Sequence, residues 1–197
     1  MFSVVVLISG SGSNLRALLE AATSADYPAR VVAVGADRDC EGLAHAEDFS
    51  IPTFVVEPSA YASREEWGTA LVAAIQPWQP DLVVSAGFMR ILPAPAVSAL
   101  HPRLINMHPA LLPLYPGAHA VRDTLADGAT VTGTSIHIVD EGVDTGPVIR
   151  AREVPVHADD SEASLHERIK IEERQLIVET VADIARDHID LEEISRR

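Results

Sequence analysis

The sequence predicts an α/β protein built on an open, mostly parallel twisted sheet with helices on both faces. Three observations predict it. The run Ser3–Ile8 is continuously apolar and β-branched, as a strand covered on both faces must be. Runs of that kind alternate with segments of helical period along most of the chain. Near residue 130 the alternation breaks into two successive strands joined by an acidic turn, which predicts antiparallel pairing at one edge.

Each element follows from local chemistry. After Ser3–Ile8, Ser9-Gly10-Ser11-Gly12-Ser13 interrupts the strand, and Asn14–Ala22 carries Leu15, Leu18 and Leu19 at helical spacing. Arg30–Gly35 reads as a second strand, Glu41–Phe49 as a short helix and Pro52–Val56 as a third strand. Ser63-Arg64-Glu65-Glu66 has the capping-box pattern and opens a helix that runs to about Ile75, before Pro77 and Pro80. Asp81–Ala86 is a fourth strand, ended by Gly87-Phe88-Met89-Arg90. A short Pro-flanked helix over Ala94–Leu100 leads to a strand ending at Asn106. Beyond a Pro-rich loop come a helix over Ala118–Asp127, a half-buried strand over Thr130–Val139, a turn over Asp140–Gly146, a strand over Pro147–Val154, and one long helix over Ser161–His188. No repeat, linker or low-complexity segment intervenes, so residues 1–197 are expected to form a single domain.

Composition narrows the function. The chain is 47% hydrophobic, normal for a soluble globular protein, and no apolar run reaches the length of a membrane span. The apolar start lacks a basic segment and reads as a first strand, not a signal peptide. Cys40 is the only cysteine, so no internal disulfide forms and a reducing cytoplasm is the expected compartment. A net charge of -14 opposes binding to nucleic acid or anionic membranes. A small anionic substrate is still compatible, because backbone N–H groups bind phosphate locally.

Four stretches carry chemistry. In Leu104–Gly117 an apolar run enters a Pro-rich loop, with Asn106 and His108 at the junction. Two residues apart on extended chain they share a face, and Pro109 holds His108 extended. An amide donor then sits beside an imidazole at a strand end, where open α/β sheets place their sites. Two solvated polar residues capping a strand end would read the same way. In the first turn, Gly10 and Gly12 let the backbone approach a ligand ahead of a helix N-terminus. Leu15 stands where a dinucleotide fingerprint needs its third glycine, and no Gly-Lys-Ser/Thr follows, so the turn suits one phosphate or is a plain β–α turn. Asp140, Glu141 and Asp144 crowd one turn without EF-hand spacing, and no Cys/His set has zinc spacing; no metal is expected. Glu173 falls among Leu165, Ile169, Leu176, Thr180 and Ile184 on one helix face, where a carboxylate needs a partner such as a ligand hydroxyl, or reaches water from the face's edge. No nucleophile elbow occurs, which argues against covalent catalysis.

Five stretches together resemble the glycinamide ribonucleotide formyltransferase family: residues 6–15, 63–65, 86–92, 106–117 and 133–149, in family order over nearly the whole chain. The resemblance implies the Rossmann-like formyltransferase fold. It implies formyl transfer from 10-formyltetrahydrofolate, as co-substrate, to the amine of glycinamide ribonucleotide in purine biosynthesis, in the cytoplasm and without a metal. It leaves room for a homodimer. It places catalysis on Asn106, His108 and Asp144, with His119 in support. It places the ribonucleotide on Gly12, Ser13, Asn14, Lys170 and Glu173. It places the folate on Arg64, on Met89, Arg90, Ile91 and Leu92, and on Asp140, Glu141, Gly142, Val143 and Asp144. Two departures stand out: Ala110 replaces the family's usual Ser, and the chain ends at Arg197, short of typical members.

Competing readings share some of these residues. A formyltetrahydrofolate deformylase would use the same Asn, His and Asp but carries an added N-terminal domain. A methionyl-tRNA formyltransferase carries an added C-terminal one, and the acidic balance disfavours tRNA. A nicotinamide-dependent oxidoreductase would use Asp37 as its ribose acid, against which Leu15 argues. A binding protein without activity would have no use for the trio. The glycines and prolines of the 109–117 loop and the 140–146 turn further predict that they close over the folate.

Overall fold

The computed structural model describes residues 1–196. Seven strands form one sheet in the order β3-β2-β1-β4-β5-β6-β7. The strands are β1 (Phe2–Ile8), β2 (Ala29–Ala36), β3 (Thr53–Val55), β4 (Leu82–Ser85), β5 (Leu104–His108), β6 (Val131–Ile138) and β7 (Val148–Pro155). The helices are α1 (Ser13–Ala21), α2 (Gly42–Asp48), α3 (Arg64–Ile75), α4 (Ala94–Leu100), α5 (Ala120–Ala126), α6 (Glu162–Ala185) and α7 (Leu191–Ile194). The first five strands are parallel and the last two antiparallel, as the sequence pattern requires.

The apolar run of β1 is explained by burial on both faces. Val4, Val6 and Ile8 pack with Leu15, Leu18, Leu176 and Val181 of α1 and α6. The alternate residues Val5 and Leu7 pack with Trp67, Leu71 and Ile75 of α3 on the other side. The chain steps outward from β1 to β2 and β3, then returns to β4 on the other flank of β1. That reversal opens a crevice at the carboxyl ends of β1 and β4, where open α/β sheets bind ligands.

Several boundaries differ from expectation for identifiable reasons. β5 runs on past Asn106 to His108 because β6 pairs with it there, Asn106 opposite His137 and His108 opposite Ser135. α5 begins only at Ala120, since His119 has non-helical backbone angles. The last helix ends at Ala185, and a separate turn, α7, is capped by Asp190, whose carboxylate accepts from the N–H groups of Glu192 and Glu193. Ser63 caps α3 as expected by accepting from the Glu66 N–H at 3.1 Å, but the Glu66 carboxylate reaches back to the Ala62 N–H instead of closing the box on Ser63. Among the described residues, no helix is long and apolar enough to cross a membrane.

Candidate active site

A cavity of about 620 Å³ occupies the crevice. The β1–α1 turn, the loop after β4, the end of β5, the acidic turn and one face of α6 all contribute to its walls. The strand-end placement of Asn106 and His108 brings both into it, while Met107 between them joins the α1/α6 side of the core.

The trio converges. Asp144, in a left-handed conformation at φ 54°, turns its carboxylate to β5. Its Oδ2 accepts from the Gly117 N–H at 2.8 Å and lies 3.3 Å from His108 Nδ1. Its Oδ1 lies 3.4 Å from Asn106 Nδ2. His137 completes the group, with Nε2 3.1 Å from Asn106 Nδ2 and 3.4 Å from Asp144 Oδ1. His137 Nδ1 faces the Ile138 carbonyl at 3.0 Å, which only accepts, so this nitrogen carries the proton and, in the neutral ring, Nε2 accepts from Asn106. His108 Nε2 likewise faces the Tyr115 carbonyl at 2.8 Å and donates to it. Burial pushes the Asp144 carboxyl up, but the contact with His137 and the charges of the two imidazoles in their protonated forms, together with the Gly117 N–H, outweigh it and hold it at about 2. Burial lowers His108 below the usual histidine value, with Asp144 and the Tyr115 carbonyl pulling it back up in part. Asp144 is therefore a carboxylate at neutral pH.

Gly12, Ser13, Asn14, Lys170 and Glu173 all line the same cavity. Gly12 is required by the backbone itself: its φ is +70° and an added Cβ would lie 2.9 Å from Gly42 Cα. An added Cβ at Gly10 would meet no protein atom and would project where Gly10 lines the cavity. No side chain caps α1, which leaves its first N–H groups facing the cavity without a capping partner. Glu173 is buried on α6 as the face pattern required; it accepts from Asn14 Nδ2 at 3.1 Å, and burial raises its carboxyl pKa. Asn14 Oδ1 is buried with no hydrogen-bond partner. A buried carboxylate and an unsatisfied buried amide oxygen thus lie beside an uncapped helix start. Lys170 Nζ pairs with Glu167 at 2.8 Å at the rim.

The opposite wall is apolar. Met89, Arg90, Ile91 and Leu92 line it, as do Asp140, Gly142, Val143 and Asp144 across the opening, and His119 stands exposed at its edge. Arg64 and Glu141 are not in the lining. Arg64 instead donates to the Ile91 carbonyl at 2.7 Å and braces that loop from outside, while Glu141 is exposed on the turn. Arg90 turns its guanidinium onto Asp37, which is buried at the end of β2 and also pairs with Arg38 at 3.0 Å. Burial pushes the Asp37 carboxyl up, but hydrogen bonds from Arg38, Ser9 and Arg90 outweigh it and hold it below the usual range. Asp37 is therefore engaged and is not a free ribose acid. At Ala110, the family's Ser is replaced where the backbone makes the contact: the Ala110 carbonyl accepts from Ser135 Oγ at 2.8 Å. His137 was not among the sequence candidates; its signal is a histidine between Ile136 and Ile138 on a buried strand. Among the described residues no cluster of three His, Cys, Asp or Glu side chains is arranged to hold a metal ion.

Residues 2–181 match the formyl transferase family. Phosphoribosylglycinamide formyltransferase from Mycobacterium tuberculosis is 53% identical over 182 residues, covering 92% of this chain and 84% of that protein. The protein of the same name from Escherichia coli is 43% identical over 175 residues, 88% of this chain and 82% of its own length. The crystal structure of glycinamide ribonucleotide transformylase 1 from Symbiobacterium toebii superposes with a TM-score of 0.92 at 39% identity, covering 95% of this chain and 89% of that one. The strand-end trio, the crevice at the sheet's reversal and these likenesses agree: the chain belongs to the formyl transferase family.

Proposed function

We propose that the chain transfers the formyl group of 10-formyltetrahydrofolate to the amine of glycinamide ribonucleotide. The observation that carries this reading is the convergence of Asn106, His108 and Asp144 within 3.4 Å contacts, between a polar pocket at α1 and α6 and an apolar wall at residues 89–92. The ribonucleotide phosphate sits on the uncapped start of α1 at Gly12, Ser13 and Asn14, near Lys170, and ribose hydroxyls donate to Glu173. The folate ring lies against Met89–Leu92 and the 140–144 turn, with Arg64 supporting that wall.

The amine attacks the formyl carbon directly, so the enzyme supplies no nucleophile. Negative charge grows on the formyl oxygen, where an Asn106 N–H and a His108 N–H donate; one such donor is typically worth ~10²–10³ in rate. Both His108 nitrogens and the Asn106 amide have protein partners in this structure. The His108 donor is released when the 109–117 loop withdraws the Tyr115 carbonyl, with Nδ1–H of the imidazolium kept on Asp144, and Asn106 exchanges its long 3.4 Å contact with Asp144 for the formyl oxygen. Asp144 accepts a proton from the attacking nitrogen, directly or through water, the carbon–N10 bond breaks, and N10 takes up a proton as amine becomes amide.

The experiment is turnover of 10-formyltetrahydrofolate by the wild type with and without glycinamide ribonucleotide. Turnover that requires the ribonucleotide and yields its formylated product supports the reading. Formate release without acceptor makes the enzyme a deformylase. Absence of turnover in both arms refutes catalysis.

A further inference from the structure

Asp37 lies outside the residues that touch the trio, yet it is a fully buried carboxylate held by two arginines. Its side chain is 0% exposed, while its partners Arg90 and Arg38 are 40% and 50% exposed. Burying a carboxylate is costly unless its donors are held in place, and such groups tend to fix geometry more than they stabilise the fold. The geometry held here is that of residues 87–92. This loop has no regular structure, starts at Gly87 with φ +78°, and exposes Met89 and Ile91 at 66% and 57%. Its inner side is tied down at Ser9 and Asp37. Ser9 N–H donates to the Gly87 carbonyl at 3.2 Å, and Met89 N–H donates to Ser9 Oγ at 2.8 Å. The Ser9 side chain also helps hold the Asp37 carboxyl below its usual range. Arg90 bonds the same carboxylate through Nε.

We infer that Asp37 is a positioning residue for folate binding: by holding Arg90, beside the Ser9 anchor of Met89, it sets the 87–92 loop, and so the apolar wall, before the folate arrives. The inference rests on the proposed assignment of residues 89–92 to the folate side. The Arg90 contact of Asp37 and the Ser9 contact of Met89 end on adjacent residues of one loop, and Asp37 itself does not line the cavity. A defect at Asp37 should therefore divide the two substrates.

The test compares wild type, Asp37→Asn, Ser9→Ala, Arg90→Met and the Asp37→Asn/Arg90→Met double variant. In Asp37→Asn the KM for 10-formyltetrahydrofolate rises roughly tenfold, while kcat and the KM for the ribonucleotide stay within about twofold. The double variant shows less than the product of the two single effects, because both act through one contact. Arg90→Met breaks the contact from the loop side, keeps the Arg38 pair of Asp37 and raises the folate KM in the same direction, so the inference is tested even where Asp37→Asn folds poorly; Ser9→Ala, which removes the Met89 anchor and keeps both arginine pairs, gives the effect of loosening the loop alone. Amide exchange at residues 87–92 quickens in Asp37→Asn and is unchanged at 104–108. An unchanged or lowered folate KM in both Asp37→Asn and Arg90→Met, or KM values for both substrates rising together, overturns it. Wild type without turnover instead removes the functional reading on which it stands.

Discussion

Asp144→Asn is the perturbation that tests the mechanism most directly. The substitution keeps the side chain's size and lets its remaining oxygen accept from the Gly117 N–H, now at 2.8 Å from Oδ2. What it removes is the charge beside His108 and the only proton acceptor among the trio that is ionised at neutral pH, since Asp144 is held at about 2. It also turns an NH₂ group towards Asn106 Nδ2, 3.4 Å from Oδ1, so a donor faces a donor. A positioned acid–base group contributes ~10²–10⁴ in rate, and the misdirected Asn106 adds to the loss, so kcat falls roughly 10³-fold, about 4 kcal/mol of transition-state stabilisation. KM for either substrate moves by less than about fivefold, because the loss lies in the transition state. The depressed carboxyl also stabilises the fold at neutral pH. After allowance for its partial exposure the variant loses on the order of 1–2 kcal/mol, a Tm drop of roughly 2–8 °C. Steady-state kinetics at 20 °C with a parallel melting curve separates the two effects. A kcat within tenfold of wild type, on protein of unaltered circular dichroism, would refute the role given to Asp144.

Three further outcomes follow from the same structure. Glu173→Gln removes a buried acceptor beside Asn14 and should raise the KM for the ribonucleotide roughly 10–100-fold with the folate KM unchanged, as read by initial rates. Gly12→Ala places a Cβ at φ +70° and 2.9 Å from Gly42 Cα, and should lose ~1–3 kcal/mol in a urea titration. Melting temperature should fall with acid in two windows. His108, lowered by burial, leaves the unfolded chain binding more protons from pH 6.5 down to its folded pKa, so stability drops as pH falls through that range and His108→Gln abolishes the step. Asp144, lowered from 3.8 to about 2, adds a loss between those values that Asp144→Asn removes.

Much of this site was legible because its logic is local. Asn106 and His108 share a face by strand alternation, and the structure puts both in the cavity with Met107 in the core. Glu173 announced itself as a charge on an apolar helix face, and it is buried there against Asn14. The two-strand excursion was readable from its turn, but β6, expected half-buried from its alternation, is buried from Thr132 to Ile138 because it pairs on both edges and is covered on both faces. The misses are non-local. His137 joins the trio only because the antiparallel register sets it opposite Asn106, and register between β5 and β6 is fixed by pairing across a loop of more than twenty residues. Arg64 belongs to a stretch shared with the family, but only the fold shows it bracing Ile91 from behind the wall.

Asp37 makes the same point in the other direction. From sequence it is an acid at the end of a second strand, the position at which a nicotinamide enzyme binds ribose. The contradiction comes from the neighbouring Arg38 and from Arg90, more than fifty residues away, both of which pair with it. β1 lies beside both β2 and β4, so the residues leaving their carboxyl ends, Ser9, Asp37 and the 87–92 loop, meet at one place. A sheet whose order reverses at β1 therefore brings an acid from one flank against an arginine from the other, directly beneath the crevice. Leu15, which fills the space that a dinucleotide fold keeps open for its third glycine, is fully buried against α6. The same strand-end acid is thereby free to serve the opposite wall: with no dinucleotide to hold, it holds the loop.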